Sequence, residues 1–135
     1  CGACAVLLDG MAVDSCLTLT GTVGDRAVTT VKGLGDAGAP HPLQTAFADR
    51  GAAQCGYCTP GMIIAAQSML TNDTATPDEA DIRLALSGNL CRCTGYTKIY
   101  DAVLDGARAM REAEAAPAEG TRSKTVVAPR METVK

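Results

Sequence analysis

The sequence predicts an α+β fold: strands and turns over residues 1–34, a helical region over 35–112 and an extended tail over 113–135. Three observations lead there. Short apolar runs punctuated by turn residues fill the first 34 positions. From residue 41 the apolar spacing becomes helical, with recognisable starts and stops. Seven cysteines fall into one group in each region.

Ala5-Val6-Leu7-Leu8 reads as a first strand, and Asp9-Gly10 is a strong turn signal. Met11 to Leu17 follows as a second strand. Arg26 to Lys32, rich in Val and Thr, reads as a third. Gly33 to Pro40 reads as a glycine-rich linker. Pro42 suits the first turn of a helix that runs to about Arg50 and ends at Gly51, with His41 as its entry residue. A second helix follows Pro60 and carries Met62, Ile63, Ala66 and Met69, the methionines acting as core filler. Thr76-Pro77-Asp78-Glu79 looks like a capping box with Pro77 at the first helical position. The helix it opens carries Ile82, Leu84 and Leu86 and stops at Gly88. A fourth begins near Thr97, with Ile99, Val103, Ala107 and Met110 at helical spacing. Beyond Ala113, Ala, Glu, Pro and Thr dominate, as in a tail without its own core.

Composition narrows the function. Aromatics make up 3 % of the 135 residues, with no Trp and a single Phe47. An aromatic-rich core is therefore excluded, and metal centres are a natural substitute in small domains. The net charge is −3 and no basic cluster occurs, which argues against a nucleic-acid partner. No apolar run approaches membrane-spanning length, so direct membrane insertion is not expected. Nucleophile, phosphate-loop and zinc-protease motifs are lacking, and Gly33-Leu34-Gly35 is not a dinucleotide fingerprint. No catalytic residue is expected in this chain.

The cysteine spacings point to metal rather than to disulfides. The count is odd, and the pairs lie too close together for a disulfide framework. Cys55-Gly56-Tyr57-Cys58 precedes a helix start, and Cys91-Arg92-Cys93 sits between two helices. Four thiolates from two loops can enclose one centre, with N–H groups at nearby helix starts donating to sulfur. Glycines 56, 61 and 95 let the backbone come close. Such a set suits zinc as well as iron. The helical surroundings, the acidic charge and the second cysteine group favour iron, leaving a structural zinc module for protein contacts as the alternative. Cys1, Cys4 and Cys16 match the last three ligands of a plant-type [2Fe–2S] site, C-x4-C-x2-C plus a distant cysteine. The missing ligand would stand about five residues before Cys1. The natural N-terminus is accordingly expected upstream.

Three stretches together resemble the small iron–sulfur subunit of the molybdenum hydroxylases, the family of xanthine dehydrogenase, aldehyde oxidoreductase and carbon monoxide dehydrogenase. They are Cys1-Gly-Ala-Cys-Ala-Val-Leu-Leu-Asp-Gly10, Gln54-Cys-Gly-Tyr-Cys-Thr-Pro-Gly-Met62 and Gly88-Asn-Leu-Cys-Arg-Cys-Thr-Gly-Tyr96. The resemblance covers residues 1 to about 112. It implies a ferredoxin-like β-grasp domain, here lacking its start, followed by a four-helix domain, each holding one [2Fe–2S] cluster. A large partner subunit would carry molybdopterin and a medium subunit FAD, in a cytoplasmic dimer of heterotrimers. Electrons would pass from molybdenum to the cluster of Cys55, Cys58, Cys91 and Cys93. They would continue to that of Cys1, Cys4 and Cys16, then to FAD. Gln54 and Cys93 would lie beside the pterin. Arg92 would pair with a surface carboxylate or offset cluster charge. Tyr57, Tyr96 and Tyr100 would pack around the site, and Asp78, Glu79 and Asp81 would form a helix-start charge pattern.

Overall fold

The computed structural model describes residues 1–115. Strands β1 (Ala5–Leu8) and β2 (Met11–Asp14) form an antiparallel hairpin. Asp9 and Gly10 turn it with φ of 50° and 86°. Both central residues are thus left-handed, which suits the twist of a tight hairpin. Strand β3 (Val28–Thr29) pairs with the other edge of β1, giving the order β2-β1-β3. The Asp9 carboxylate accepts from the Ala27 N–H at 2.9 Å and ties the turn to the segment leading into β3.

Five helices follow: α1 (Val31–Leu34), α2 (Pro42–Asp49), α3 (Thr59–Asn72), α4 (Glu79–Ala85) and α5 (Thr97–Ala115). Their shared core contains Leu43, Phe47, Met62, Ala66, Ile82, Ile99, Ala102 and Val103. Helix α3 is its centre, with eight of its fourteen residues buried. The same helix supports the sheet. Ser68 Oγ accepts from the Ala12 N–H at 3.0 Å, and Asn72 Nδ2 donates to the Gly10 carbonyl at 3.0 Å. Helix α5 passes close to α2 at Gly106, where an added Cβ would lie 2.6 Å from Leu43 Cδ2.

Several sequence expectations need correction. The third strand is two residues long, not seven, because Val31 and Leu34 turn inward against the helical core. Gln44 Nε2 donates to the Val31 and Gly35 carbonyls, both at 3.0 Å, taking acceptors that a strand would offer to a neighbour. The second strand stops at Asp14. Ser15 Oγ there donates to the Cys4 carbonyl at 2.8 Å, and a 3-10 turn over Ser15–Leu17 follows. Helix α4 is capped by Asp78, not Thr76, so Pro77 precedes the cap. Asp78 accepts from the Asp81 N–H at 2.9 Å, and Asp81 accepts from the Asp78 N–H at 3.0 Å. Leu84 faces outward and is 76 % exposed, while Ile82 and Leu86, four apart, turn in. Residues 113–115, expected in the tail, continue α5. The rest of the expected tail lies outside the described residues.

His41 caps α2, as expected of an entry residue. Its Nδ1 accepts from the Leu43 N–H at 3.2 Å, and Gln44 Oε1 accepts from the His41 N–H at 2.8 Å. Burial holds the imidazole below its usual 6.5. The unfolded chain therefore takes up the proton first, and a protonated Nδ1 cannot accept. The cap's contribution is complete above about pH 6.5 and is lost as pH falls through the lower folded value. Replacing His41 with Ala should cost about 0.5–2 kcal/mol at neutral pH. His41→Asn should keep the cap and flatten the drop in melting temperature between pH 7 and 5, which thermal denaturation across that range would read.

Candidate metal centres

The helical cysteine set is assembled by two loops. The first, between α2 and α3, presents Cys55 on the surface and places Cys58, 7 % exposed, at the start of α3. A helix start carries partial positive charge and free N–H groups, a favourable neighbour for thiolates. Gly56 in this loop has φ of +81°, a conformation that favours glycine. The second loop, between α4 and α5, is braced by Tyr96. Its hydroxyl accepts from the Cys91 N–H at 2.8 Å and donates to the Asn89 carbonyl at 3.4 Å.

One sulfur of the first loop meets one of the second directly. Cys93 Sγ donates to Cys55 Sγ at 3.6 Å. Cys58 and Cys91 influence each other's charge: Cys91 helps to raise the Cys58 thiol, and Cys58 helps to lower Cys91. Two thiolates on one tetrahedral metal lie about 3.8 Å apart when each metal–sulfur bond is about 2.3 Å. The Cys55–Cys93 separation is already close to that value. Among the described residues, no group of three or more ligand side chains is gathered tightly enough for a single ion. Four cysteines contributed by two facing loops fit a binuclear centre, in which four thiolates hold two irons.

Electrostatics prepare unequal sulfurs. Burial raises the Cys91 thiol, but hydrogen bonds from the Thr94 hydroxyl and N–H and from the Cys93 N–H outweigh it and bring it down to about 7. Thr94 Oγ1 lies 3.1 Å and Thr94 N 3.4 Å from Cys91 Sγ. Burial, helped by Cys91, pushes Cys58 up to about 11. The Tyr57 N–H, and then the Cys93 thiol, lower Cys55; Cys93 is raised by its hydrogen bond to Cys55. Metal ligation needs all four as thiolates, so loading releases protons, with Cys58 the most resistant.

The N-terminal set is less gathered. Cys4 is lowered by a hydrogen bond from the Cys16 backbone and then by the Cys16 thiol, while Cys16 is raised by Cys4. The 3-10 turn after β2 brings Cys16 to Cys4. Cys1 is exposed and is held through its backbone, its carbonyl accepting from the Leu90 N–H at 3.0 Å.

The remaining residues of interest are also placed. Gln54 is exposed and directly precedes the exposed Cys55, which touches the exposed Cys93. Arg92 is exposed and makes no ion pair among the described residues, so the surface carboxylate expected for it is not there. Tyr57 is 77 % exposed and does not pack around the site. Tyr96 and Tyr100 do pack, with ring centroids 6.0 Å apart. Gly61 meets not the helical sulfurs but the Cys1–Cys4 loop: an added Cβ would lie 1.9 Å from the Gly2 carbonyl oxygen. Tyr96 as a hydrogen-bonding brace and Asn89 as a loop partner were missed from the sequence. An asparagine two residues before the Cys91-Arg92-Cys93 motif was the available signal.

Comparison with known proteins adds an independent line. Residues 30–104 match the family model of the [2Fe-2S] binding domain. The chain is 48 % identical over 103 residues to the nicotinate dehydrogenase small FeS subunit of Eubacterium barkeri, covering 76 % of this chain and 65 % of that one. It is 47 % identical over 106 residues to the xanthine dehydrogenase iron-sulfur-binding subunit of Escherichia coli O157:H7, covering 78 % and 67 %. The aldehyde oxidoreductase structure from Desulfovibrio gigas superposes with a TM-score of 0.80 at 42 % identity, over 84 % of this chain and 13 % of that one. The chain thus spans just under two thirds of the first relative's length. None of these relatives is a structural zinc module.

Proposed function

The chain belongs to the [2Fe–2S]-binding small-subunit family of the molybdenum hydroxylases, and from that membership we propose that it is an electron-transfer subunit whose two cysteine sets each serve one cluster. Cys55, Cys58, Cys91 and Cys93 are the ligands of the helical centre, and Cys1, Cys4 and Cys16 are ligands of the N-terminal one. The observation that carries the reading is the facing of two cysteine loops beside a helix start, with Cys93 and Cys55 in sulfur–sulfur contact and N–H donors on Cys91 and Cys55. A bound [2Fe–2S] cluster accepts and returns single electrons at a potential set by such hydrogen bonds and by exposure.

The finer architecture is part of the same proposal. Residues 1–34 belong to a β-grasp domain, and the helical domain runs from 35 to the end of α5 at Ala115. Molybdopterin sits on a large partner and FAD on a medium one. Exposed Gln54 and Cys93 face the molybdopterin subunit. A carboxamide offers an acceptor oxygen and two N–H donors, which suits the edge of a pterin.

Iron and sulfide analysis of the purified chain tests the core of this. Seven cysteines provide one complete set of four and one set of three. One [2Fe–2S] centre is expected for the 135-residue chain, and two when a fourth thiolate completes the N-terminal set. A colourless protein containing zinc and no iron would overturn the reading.

A further inference from the structure

We propose that Asn89 is a positioning residue that fixes the separation of the two cysteine sets, and with it the coupling between the clusters they hold; this rests on the cluster reading above. Asn89 is 6 % exposed, and among the described residues Ser68 is the other buried polar side chain. Its Nδ2 donates to the Gly2 carbonyl at 3.1 Å, across 87 positions of sequence. Gly2 lies between Cys1 and Cys4, and Asn89 stands two residues before Cys91. One carboxamide therefore grips the loop of one set from the loop of the other.

The fit is close on both sides. Gly2 has φ of +76°, and a Cβ there would lie 2.4 Å from Asn89 Nδ2 and 2.8 Å from the Gly88 carbonyl. The Leu90 N–H donates to the Cys1 carbonyl at 3.0 Å. One hydrogen bond and the backbone of one residue thus separate Cys1 from Cys91. On its other side, the Asn89 carbonyl accepts from the Tyr96 hydroxyl, which itself holds the Cys91 N–H. A buried amide donor is costly unless paired, and pairing fixes direction and distance in a way an apolar contact would not. The bridge does no bond chemistry. One electron leaves the Cys91 side for each that arrives at the Cys1 side, and neither a bond nor a proton is exchanged along it.

The test uses the complex with a chain whose N-terminal set is completed by a fourth thiolate, reduced with dithionite so that both clusters are paramagnetic, and measures the dipolar coupling between them by pulsed EPR alongside iron content. Asn89→Ala should keep full iron and both individual signals. The single native coupling should give way to a weaker, broadened distribution. Asn89→Ser, which keeps a shorter donor, should fall between the two. Full iron with unchanged coupling in Asn89→Ala would overturn the inference. So would loss of a cluster in both variants, because Asn89 would then be a folding residue. Absence of iron from the wild-type complex would instead sink the cluster reading itself.

Discussion

Cys58→Ala is expected to remove the helical centre altogether and to lower the melting temperature by well over 10 °C. Cys58 is the buried member of its set, at the start of the central helix, and burial, helped by Cys91, raises its thiol to about 11. No nearby side chain among the described residues can replace it. When a site is organised only in the folded chain, ligand binding is folding energy, on the order of 10 kcal/mol for structural metal sites. Losing even a quarter of that shifts the midpoint of a small domain by roughly 10–20 °C. The paired measurements are the EPR signal of the helical centre and thermal denaturation. Retention of that signal at full intensity would remove Cys58 from the ligand set.

Gly61→Ala is expected to act on the other centre. The new methyl group would need the space of the Gly2 carbonyl oxygen, with Ala3 Cα 3.1 Å away. Both obstacles are backbone, so no rotamer change relieves them. The Cys1–Cys4 loop must lift from α3, at about 1–3 kcal/mol as for other overpacked sites. Alanine is otherwise an excellent helical residue, so α3 itself should persist. The N-terminal signal should weaken or vanish in a chain with a completed N-terminal set, while the helical signal stays. Equal loss of both would show that α3 had unfolded instead.

The parts of the fold set by local chemistry could be read from the sequence, and those set by distant partners could not. The Asp9-Gly10 turn, the His41-Pro42 entry and the apolar spacing of α3 and α5 each rest on neighbours within a few residues, and the structure has them where expected. The third strand failed because Gln44, far along the chain, claims the Val31 and Gly35 carbonyls. The α4 cap was misplaced because two carboxylates three apart outcompeted a threonine that looked equally suitable. Within the site, the two sulfur groups were visible as spacing alone. The contact between Cys55 and Cys93 was not, because it depends on how two loops face each other. Gly61 was assigned to the wrong neighbour for the same reason: its role is defined by residues some 60 positions away.

The bond between Asn89 and the Gly2 carbonyl also orders events in time. It closes a span of 87 residues, and the entropy of bringing such ends together is about 4 kcal/mol on a (3/2)RT ln n scaling. Contacts this distant in sequence form late, after local helices have removed much of the chain's freedom. The surface that receives Gly2 consists of α3 at Gly61 and the turn at Asn89, so it exists only once the helices have packed. Maturation is therefore expected to run from the helical end backwards. On the proposed ligand assignment, timed sampling of iron uptake should find the helical signal before the N-terminal one, and simultaneous appearance would contradict this order.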